Sequence, residues 1–275
     1  MLSCTKNATL LDRRTTIKLS LGFLTSTSLL ACSAANVTPE RLTITEIRAP
    51  KEAADYNLKY TAPKNKFEVQ TLNFKGVKRQ YHAYKSNRHS LAPKTALLLL
   101  HGSNRNGASL IDKWKYLADQ HNILLVAPNS ANESRWSQEH DSPVFMQTAL
   151  DHAKIVYDVS DVKVYGFGHS AGAIMMTILS VWHSEIFSAI AVHAGNLSVE
   201  NASQSKQVKK QKVPLAHFIG SNDHIFDLDT AKGSAETLSI YGQNVDLFVI
   251  KGHNHWYYDI AQYVNAKAWA FLSAH

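Results

Sequence analysis

The residues 166–172 read GFGHSAG and place a single serine among glycines, directly after an apolar run. A serine hydroxyl on a sharp turn between a strand and a helix is exposed as a nucleophile towards ester or amide carbonyls. Gly168 and Gly172 suit such a turn because a Cβ at either position would collide with the neighbouring element. The N-terminus of the helix that follows favours developing negative charge. We therefore take Ser170 as the candidate nucleophile.

A candidate acid follows a second apolar run. Serine is a weak nucleophile at neutral pH and needs a base, which in turn is oriented by a carboxylate. Asp223 comes just after the apolar segment 213–220, where such an acid normally projects. Asp227 and Asp229 are the alternatives in the same stretch.

The candidate base lies in KGHNHWYYD, residues 251–259, after the last apolar run. This stretch offers both His253 and His255, and the order serine, acid, histidine along the chain is one that known triads use. A metal site built on the two histidines would need carboxylate or cysteine ligands at a recognisable spacing, which the sequence lacks. We therefore expect no metal and no cofactor.

A site for a negatively charged intermediate is predicted in LLLLHGSNRNG, residues 97–107. Acyl transfer places negative charge on the former carbonyl oxygen, which two preorganised backbone N–H groups can stabilise. One donor is the residue after the nucleophile, Ala171. The other is expected in the loop after the first parallel strand at Ser103, where Gly102 lets the backbone turn inward.

These residues all follow predicted strands. A hairpin around Lys75 and Gly76 opens the folded part, and apolar strands then alternate with helix-period segments. The strands are continuously apolar, which is typical of a parallel sheet covered on both faces. The predicted fold is an α/β-hydrolase fold, with a mostly parallel sheet, an N-terminal antiparallel hairpin and helices on both faces. Its strands are expected at 95–102, 123–129, 162–168, 187–195, 213–220 and 245–252.

The N-terminal region predicts export. Residues 1–32 carry the pair Arg13 and Arg14 before a short apolar stretch, which resembles a twin-arginine signal. The stretch ends in LLAC, which resembles a lipoprotein cleavage site and makes Cys32 a candidate for lipidation. We expect a periplasmic or extracellular protein, attached to the membrane where Cys32 is lipidated. Residues 33–66 are predicted to be a tether or irregular segment followed by an edge segment, and 67–275 the catalytic domain.

Charge and composition exclude some partners. The formal net charge is +7 over 275 residues, and part of it falls in the predicted signal. The densest basic run, SKQVKKQK at 205–212, has no interleaved aromatic residues, so we expect a solvated loop and no nucleic-acid binding. The segment 196–212 is short and polar, which argues against a large helical lid. The expected partner is an ester substrate.

Residues 67–275 resemble α/β-hydrolases of the polyhydroxybutyrate depolymerase and feruloyl esterase group, with the esterase D group nearby. The stretches that carry the resemblance are HGSNRNG, GFGHSAG, GSNDH and GHNHWYY. GHNHWYY is similar to the G-x-x-H-x-Y-Y stretch of the esterase D group, which aligns His255 with the catalytic histidine and leaves His253 as the alternative base. The resemblance implies a serine esterase acting on polymeric or bulky esters such as polyhydroxyalkanoates or feruloyl and acetyl esters of polysaccharides.

Three further residues are expected to bind substrate. SRWSQEHD, residues 134–141, is similar to an Arg-Trp stretch near the active-site mouth of that group, which implicates Trp136. Trp256 follows the candidate base and could form an apolar wall. His169 directly precedes the nucleophile, at the position that is leucine in the GLSAGG-like sequence usual in the group.

Two other functions fit the same fold. A serine peptidase would use the same triad, since the triad does not reveal the leaving group, although no second domain that would gate a peptide is predicted. A noncatalytic binding module anchored at the membrane would be expected to have a broken triad, whereas every position is filled here.

Overall fold

The structure is a computed structural model that describes residues 41–50, 60–63, 66–197 and 212–275. The predicted export signal at 1–32, including Cys32, lies outside the described residues. Most of the predicted tether at 33–66 also lies outside them, as does most of the segment 196–212, whose short length argues against a large lid.

The described chain forms one nine-stranded mixed sheet in the order β1-β9-β8-β7-β6-β4-β5-β3-β2. The strands β4 to β9 run parallel, and β2 and β3 form an antiparallel hairpin whose second strand pairs antiparallel with β5. The predicted fold class is therefore confirmed. The strands are β1 Arg41–Ile47, β2 Glu68–Phe74, β3 Val77–Tyr84, β4 Thr95–Leu100, β5 Ile123–Pro128, β6 Lys163–His169, β7 Ala189–His193, β8 Leu215–Gly220 and β9 Asn244–Ile250.

Helices cover both faces of this sheet. Strand β4 shows why its sequence is continuously apolar, because Leu98 and Leu100 pack into one core and Leu97 and Leu99 into the other. The first core includes residues of α2, α3 and α4, and the second includes residues of α1 and α5. In the described part of the chain the α-helices are α1 Gly107–His121, α2 Pro143–Val156, α3 Ala171–Trp182, α4 Leu228–Ile240 and α5 Ala261–Ser273. None of these helices is long and apolar enough to cross a membrane.

Part of the segment 33–66, which was predicted to be a tether followed by an edge segment, is regular where the structure describes it. Residues Arg41–Ile47 form the edge strand β1, parallel to β9. Arg41 forms an ion pair of 2.8 Å with Asp246, which also accepts a hydrogen bond of 2.6 Å from Thr43. Most of β1 is exposed, and its sequence, RLTITEI, lacks the continuous apolar run that marks the buried strands of this sheet.

Tyr60 also belongs to the folded domain, although it lies in the predicted tether. Its ring stacks on that of Tyr258 with the ring centroids 4.1 Å apart. Its hydroxyl donates to the carboxylate of Asp112 at 2.9 Å. Because Tyr258 lines the cavity described below, Tyr60 forms a second layer behind that wall.

A buried ion pair organises the loop between β5 and α2. The carboxylate of Asp141 is fully buried and lies 2.6 Å from the guanidinium of Arg79 on β3. It also accepts the backbone N–H groups of Ala131 at 2.8 Å and Ser137 at 2.9 Å. One carboxylate therefore fixes both ends of the loop that carries Trp136.

Asp141→Asn is expected to destabilise the protein by about 3–5 kcal/mol, because it leaves the buried Arg79 guanidinium without a countercharge. Chemical denaturation of both proteins measures the difference. Asp151→Asn is the matched control, because Asp151 is exposed and pairs with Lys154 at the surface; a surface pair of this kind contributes about 0–1 kcal/mol. Equal losses in the two variants would contradict this role for Asp141.

Candidate active site

Ser170 occupies a strained turn between β6 and α3. Its backbone angles are φ 55 and ψ −122, in a region that a residue with a side chain rarely adopts. The backbone N–H of Ser170 donates to the carbonyl oxygen of His193 at 2.9 Å, which fixes the turn. A Cβ added to Gly168 would collide with the backbone of Gly172, and one added to Gly172 would collide with the backbone of Leu100. The glycines therefore allow the close packing that the turn requires.

His255 connects the serine to the acid. Its Nε2 lies 3.0 Å from Oγ of Ser170, and its Nδ1 lies 2.9 Å from Oδ2 of Asp223. The three residues come from the ends of β6, β8 and β9, which lie in the same half of the sheet. The arrangement has the hydrogen bonds of a serine, histidine and aspartate triad.

Asp223 is held ionised by its surroundings. Its Oδ1 accepts the N–H groups of Ile225 at 2.9 Å and Phe226 at 3.0 Å. Burial by itself would raise the pKa of Asp223, but the hydrogen bonds from His255 and these N–H groups outweigh it and keep the pKa below its ordinary value. An ionised Asp223 holds the proton of His255 on Nδ1, which leaves Nε2 free to accept the proton of Ser170.

The two alternative acids have other places. Asp227 is the N-cap of α4, where its Oδ1 accepts the N–H of Thr230 at 2.8 Å. The side chain of Asp229 is 97% exposed. Neither can orient a buried histidine.

The alternative base, His253, does not reach the serine. It is 2% exposed, and its ring lies 6.1 Å from that of His193, measured between centroids. The structure therefore brings His255, and not His253, into the triad.

Within the described residues, no group of three or more His, Cys, Asp or Glu side chains could hold a metal ion.

A cavity of about 570 Å³ lies over the nucleophile. Its lining includes Ser103 and Ala171, the two predicted donors to a negatively charged oxygen. The loop that carries Ser103 is held in place because the N–H of Asn104, at φ 57, donates to the carbonyl of Glu133 at 2.7 Å. A Cβ added to Gly102 would lie 3.2 Å from Cβ of Ser170, so the loop approaches the nucleophile closely.

The predicted substrate-binding residues separate into two groups. His169 and Trp256 line the cavity, but Trp136 is not among the lining residues. Instead, the indole N–H of Trp136 donates to the carbonyl of His101 at 2.7 Å, and its ring packs 4.7 Å from that of His101. The prediction that Trp136 binds substrate is therefore corrected: because its loop folds back onto the strand end at His101, Trp136 supports the loop that begins there.

Several residues of the cavity wall were not predicted from the sequence. Two of them follow Asp223 within three positions, and their N–H groups bind its carboxylate, so their position was available from the motif that contains the acid. Ile174 lies one helical turn after Ser170 and faces the same cavity. The missed lining residues are Asn104, Arg105, Ile174, Ile225 and Phe226.

Residues 128–270 match the model of the Dienelactone hydrolase family. This chain belongs to that family. The family and the fold both agree with the resemblance to α/β-hydrolases drawn from the sequence, and that resemblance is confirmed. A search of curated sequences gave no significant match.

Solved structures of similar fold include several esterases. Esterase 2 of Thermogutta terrifontis, phosphorylated by paraoxon, has a TM-score of 0.64 at 15% identity, covering 79% of this chain and 97% of its own. A ferulic acid esterase has a TM-score of 0.59 at 15% identity, covering 76% of this chain and 97% of its own. A thermostable esterase has a TM-score of 0.59 at 17% identity, covering 76% of this chain but only 62% of its own length. These identities show a shared fold.

Family membership and the geometry at Ser170 lead to the same reaction. The chain is an esterase-type α/β-hydrolase that uses a serine to cleave carboxylic esters, as the sequence predicted.

Proposed function

We propose that the enzyme hydrolyses bulky or polymeric carboxylic esters through an acyl-enzyme on Ser170. The observation that carries this proposal is the continuous pair of hydrogen bonds from Ser170 through His255 to Asp223. A serine without a base in contact would be unreactive at neutral pH.

The groups of the site divide the steps of the reaction between them. Nε2 of His255 takes the proton of Ser170 as Oγ attacks the ester carbonyl, and the backbone N–H groups of Ser103 and Ala171 stabilise the oxygen that becomes negative. His255 then gives the proton to the departing alcohol, and the C–O bond of the ester breaks. Water, activated by the same histidine, attacks the acyl-enzyme, and the acid leaves as Ser170 is restored.

The size and walls of the cavity support a substrate larger than a simple acetate. A volume of about 570 Å³ lies within the range of pockets that hold drug-sized ligands. The wall combines apolar and aromatic side chains that suit an acyl chain or an aromatic acid. These side chains are Ile174, Ile225, Phe226, Trp256 and Tyr258.

A substrate panel tests this proposal. Rates of hydrolysis are compared for methyl acetate, methyl ferulate, short oligomers of 3-hydroxybutyrate and an aminoacyl amide, with Ser170→Ala as the blank. We expect kcat/KM to be highest for methyl ferulate or the oligomers. Highest activity on the acetate would contradict the proposed substrate size, and highest activity on the amide would indicate a peptidase.

We also propose that the enzyme is exported and acts outside the cytoplasm. The support is the sequence of residues 1–32, with Arg13 and Arg14 before an apolar stretch that ends at Cys32. Mass spectrometry of the mature N-terminus tests this proposal. A diacylated Cys32 at the new N-terminus supports membrane attachment, cleavage beyond it supports a free secreted enzyme, and an intact N-terminus contradicts export by this signal.

A further inference from the structure

His169 lies between the nucleophile and a second buried histidine, His193. The two are register partners at the ends of β6 and β7, and their Nδ1 atoms are 3.1 Å apart. Nδ1 of His169 also lies 3.3 Å from the backbone carbonyl oxygen of His193. The ring of Tyr257 stacks on that of His169 with the centroids 4.9 Å apart. The orientation of the His169 ring is therefore fixed on two sides.

The contact with this carbonyl oxygen favours a proton on Nδ1 of His169. A backbone carbonyl can only accept a hydrogen bond, so Nδ1 of His169 donates its proton to the backbone carbonyl oxygen of His193. Nδ1 of His193 is then a second acceptor for the same proton, and His193 carries its own proton on Nε2, which has no partner among the described residues. Burial, together with repulsion from a protonated His255, lowers the pKa of His169 well below its ordinary value. The ring is neutral at neutral pH, and its Nε2 carries an unshared electron pair that can accept a hydrogen bond.

The edge of the ring that carries Nε2 faces the oxyanion loop. The adjacent ring atom, Cδ2, would lie 3.2 Å from a Cβ added to Gly102, and His169 lines the cavity over Ser170. Among the described residues, no protein group forms a hydrogen bond with this Nε2. An acceptor next to the nucleophile is therefore available to a substrate.

The cavity wall indicates which donor would suit this acceptor. Arg105 lines the same cavity, and none of the described residues that line it carries a carboxylate. An ammonium group on the substrate would therefore meet a positive charge without a countercharge. A neutral hydroxyl has no such cost, and an ester of a hydroxy acid or of a polyol carries one within a few bonds of the carbonyl.

We propose that Nε2 of His169 accepts a hydrogen bond from a substrate hydroxyl, so that the enzyme prefers esters with a free hydroxyl near the scissile carbonyl. This inference rests on the proposed function, because the same cavity and nucleophile are used. His169 is then a specificity-determining residue, fixed in the correct tautomer by His193.

Two pairs of esters with nearly equal shape test the proposal. Methyl 3-hydroxybutyrate is compared with methyl 3-methylbutyrate, and 2-hydroxyethyl butyrate with propyl butyrate. We expect the wild type to favour the hydroxylated member of at least one pair by about 10-fold in kcat/KM, as one hydrogen bond allows. His169→Phe keeps a ring but removes the acceptor, and should abolish the preference. His169→Gln offers a carbonyl near the position of Nε2, and should retain part of it.

The ratio within a pair separates specificity from damage, because a general loss of activity lowers both rates equally. Labelling of Ser170 by a fluorophosphonate verifies that each variant is folded and reactive. A wild type that shows no preference in either pair overturns the role of His169, as does a preference that survives in His169→Phe. A wild type that hydrolyses neither methyl ferulate nor any of the four paired esters overturns the proposed function together with this inference.

Discussion

His255→Ala is expected to lower kcat for ester hydrolysis by about 10⁴- to 10⁶-fold, the range found when the base or nucleophile of a serine triad is removed. The imidazole is the group that lies within 3.0 Å of the Ser170 hydroxyl and 2.9 Å of the Asp223 carboxylate. Without it the proton of Ser170 has no acceptor, whereas the cavity and the backbone donors remain. Steady-state kinetics on methyl ferulate and p-nitrophenyl acetate measure the loss.

His253→Gln is the matched control for this prediction. His253 lies two residues away in the same loop and is equally buried, so its replacement disturbs the packing of that loop without removing the base. We expect kcat within about 10-fold of the wild type, with a reduced stability. An inactive His253→Gln beside an active His255→Ala would show that the base is assigned to the wrong histidine.

Asp223→Asn is expected to lower kcat by about 10⁴-fold with little change in KM, because the amide no longer holds the proton of His255 on Nδ1. The two backbone N–H groups of Ile225 and Phe226 already bind Oδ1 of the aspartate. They would therefore keep the amide oxygen of the substituted side chain in that place and turn its NH₂ group towards Nδ1. His255 would then accept at Nδ1 and carry its proton on Nε2, where it cannot take the proton of Ser170.

The control for this variant is Asp227→Asn. Asp227 caps α4 and lies in the same stretch of chain, and asparagine caps helices about as well as aspartate. Activity and stability should both remain close to those of the wild type. A loss in Asp227→Asn comparable to that in Asp223→Asn would contradict the assignment of the acid.

The triad residues could be predicted from the sequence because each follows its strand within a few positions. Apolar runs of parallel strands are easy to recognise, and their carboxyl ends must meet at one edge of the sheet. The choice between His253 and His255 required either a resemblance or coordinates, since both lie on the same short loop. Their side chains differ in direction, which spacing along the chain does not reveal.

The missed features depend on contacts between distant parts of the chain. Strand β1 pairs with β9, whose residues lie some two hundred positions later, and its sequence lacks the continuous apolar run of the buried strands. Trp136 was placed in the substrate site by resemblance, but a loop fixed by the buried Asp141 carries its indole onto the carbonyl of His101. Such tertiary contacts leave no local signal in the sequence.

His193 could have been found from the sequence. It ends β7, the neighbour of β6, which ends at His169, and adjacent parallel strands place their last residues side by side. Two histidines at neighbouring strand ends, one of them beside a nucleophile, therefore indicate a contact between them.

The central claim is that Ser170 is made nucleophilic by His255, and covalent labelling tests it most directly. Folded wild-type protein is treated with a fluorophosphonate and analysed by intact mass and peptide mapping, with Ser170→Ala and His255→Ala in parallel. The account predicts one adduct per chain, on Ser170, that is absent from Ser170→Ala and forms far more slowly in His255→Ala. Folded wild-type protein that remains unlabelled, or an adduct on another residue, would contradict it.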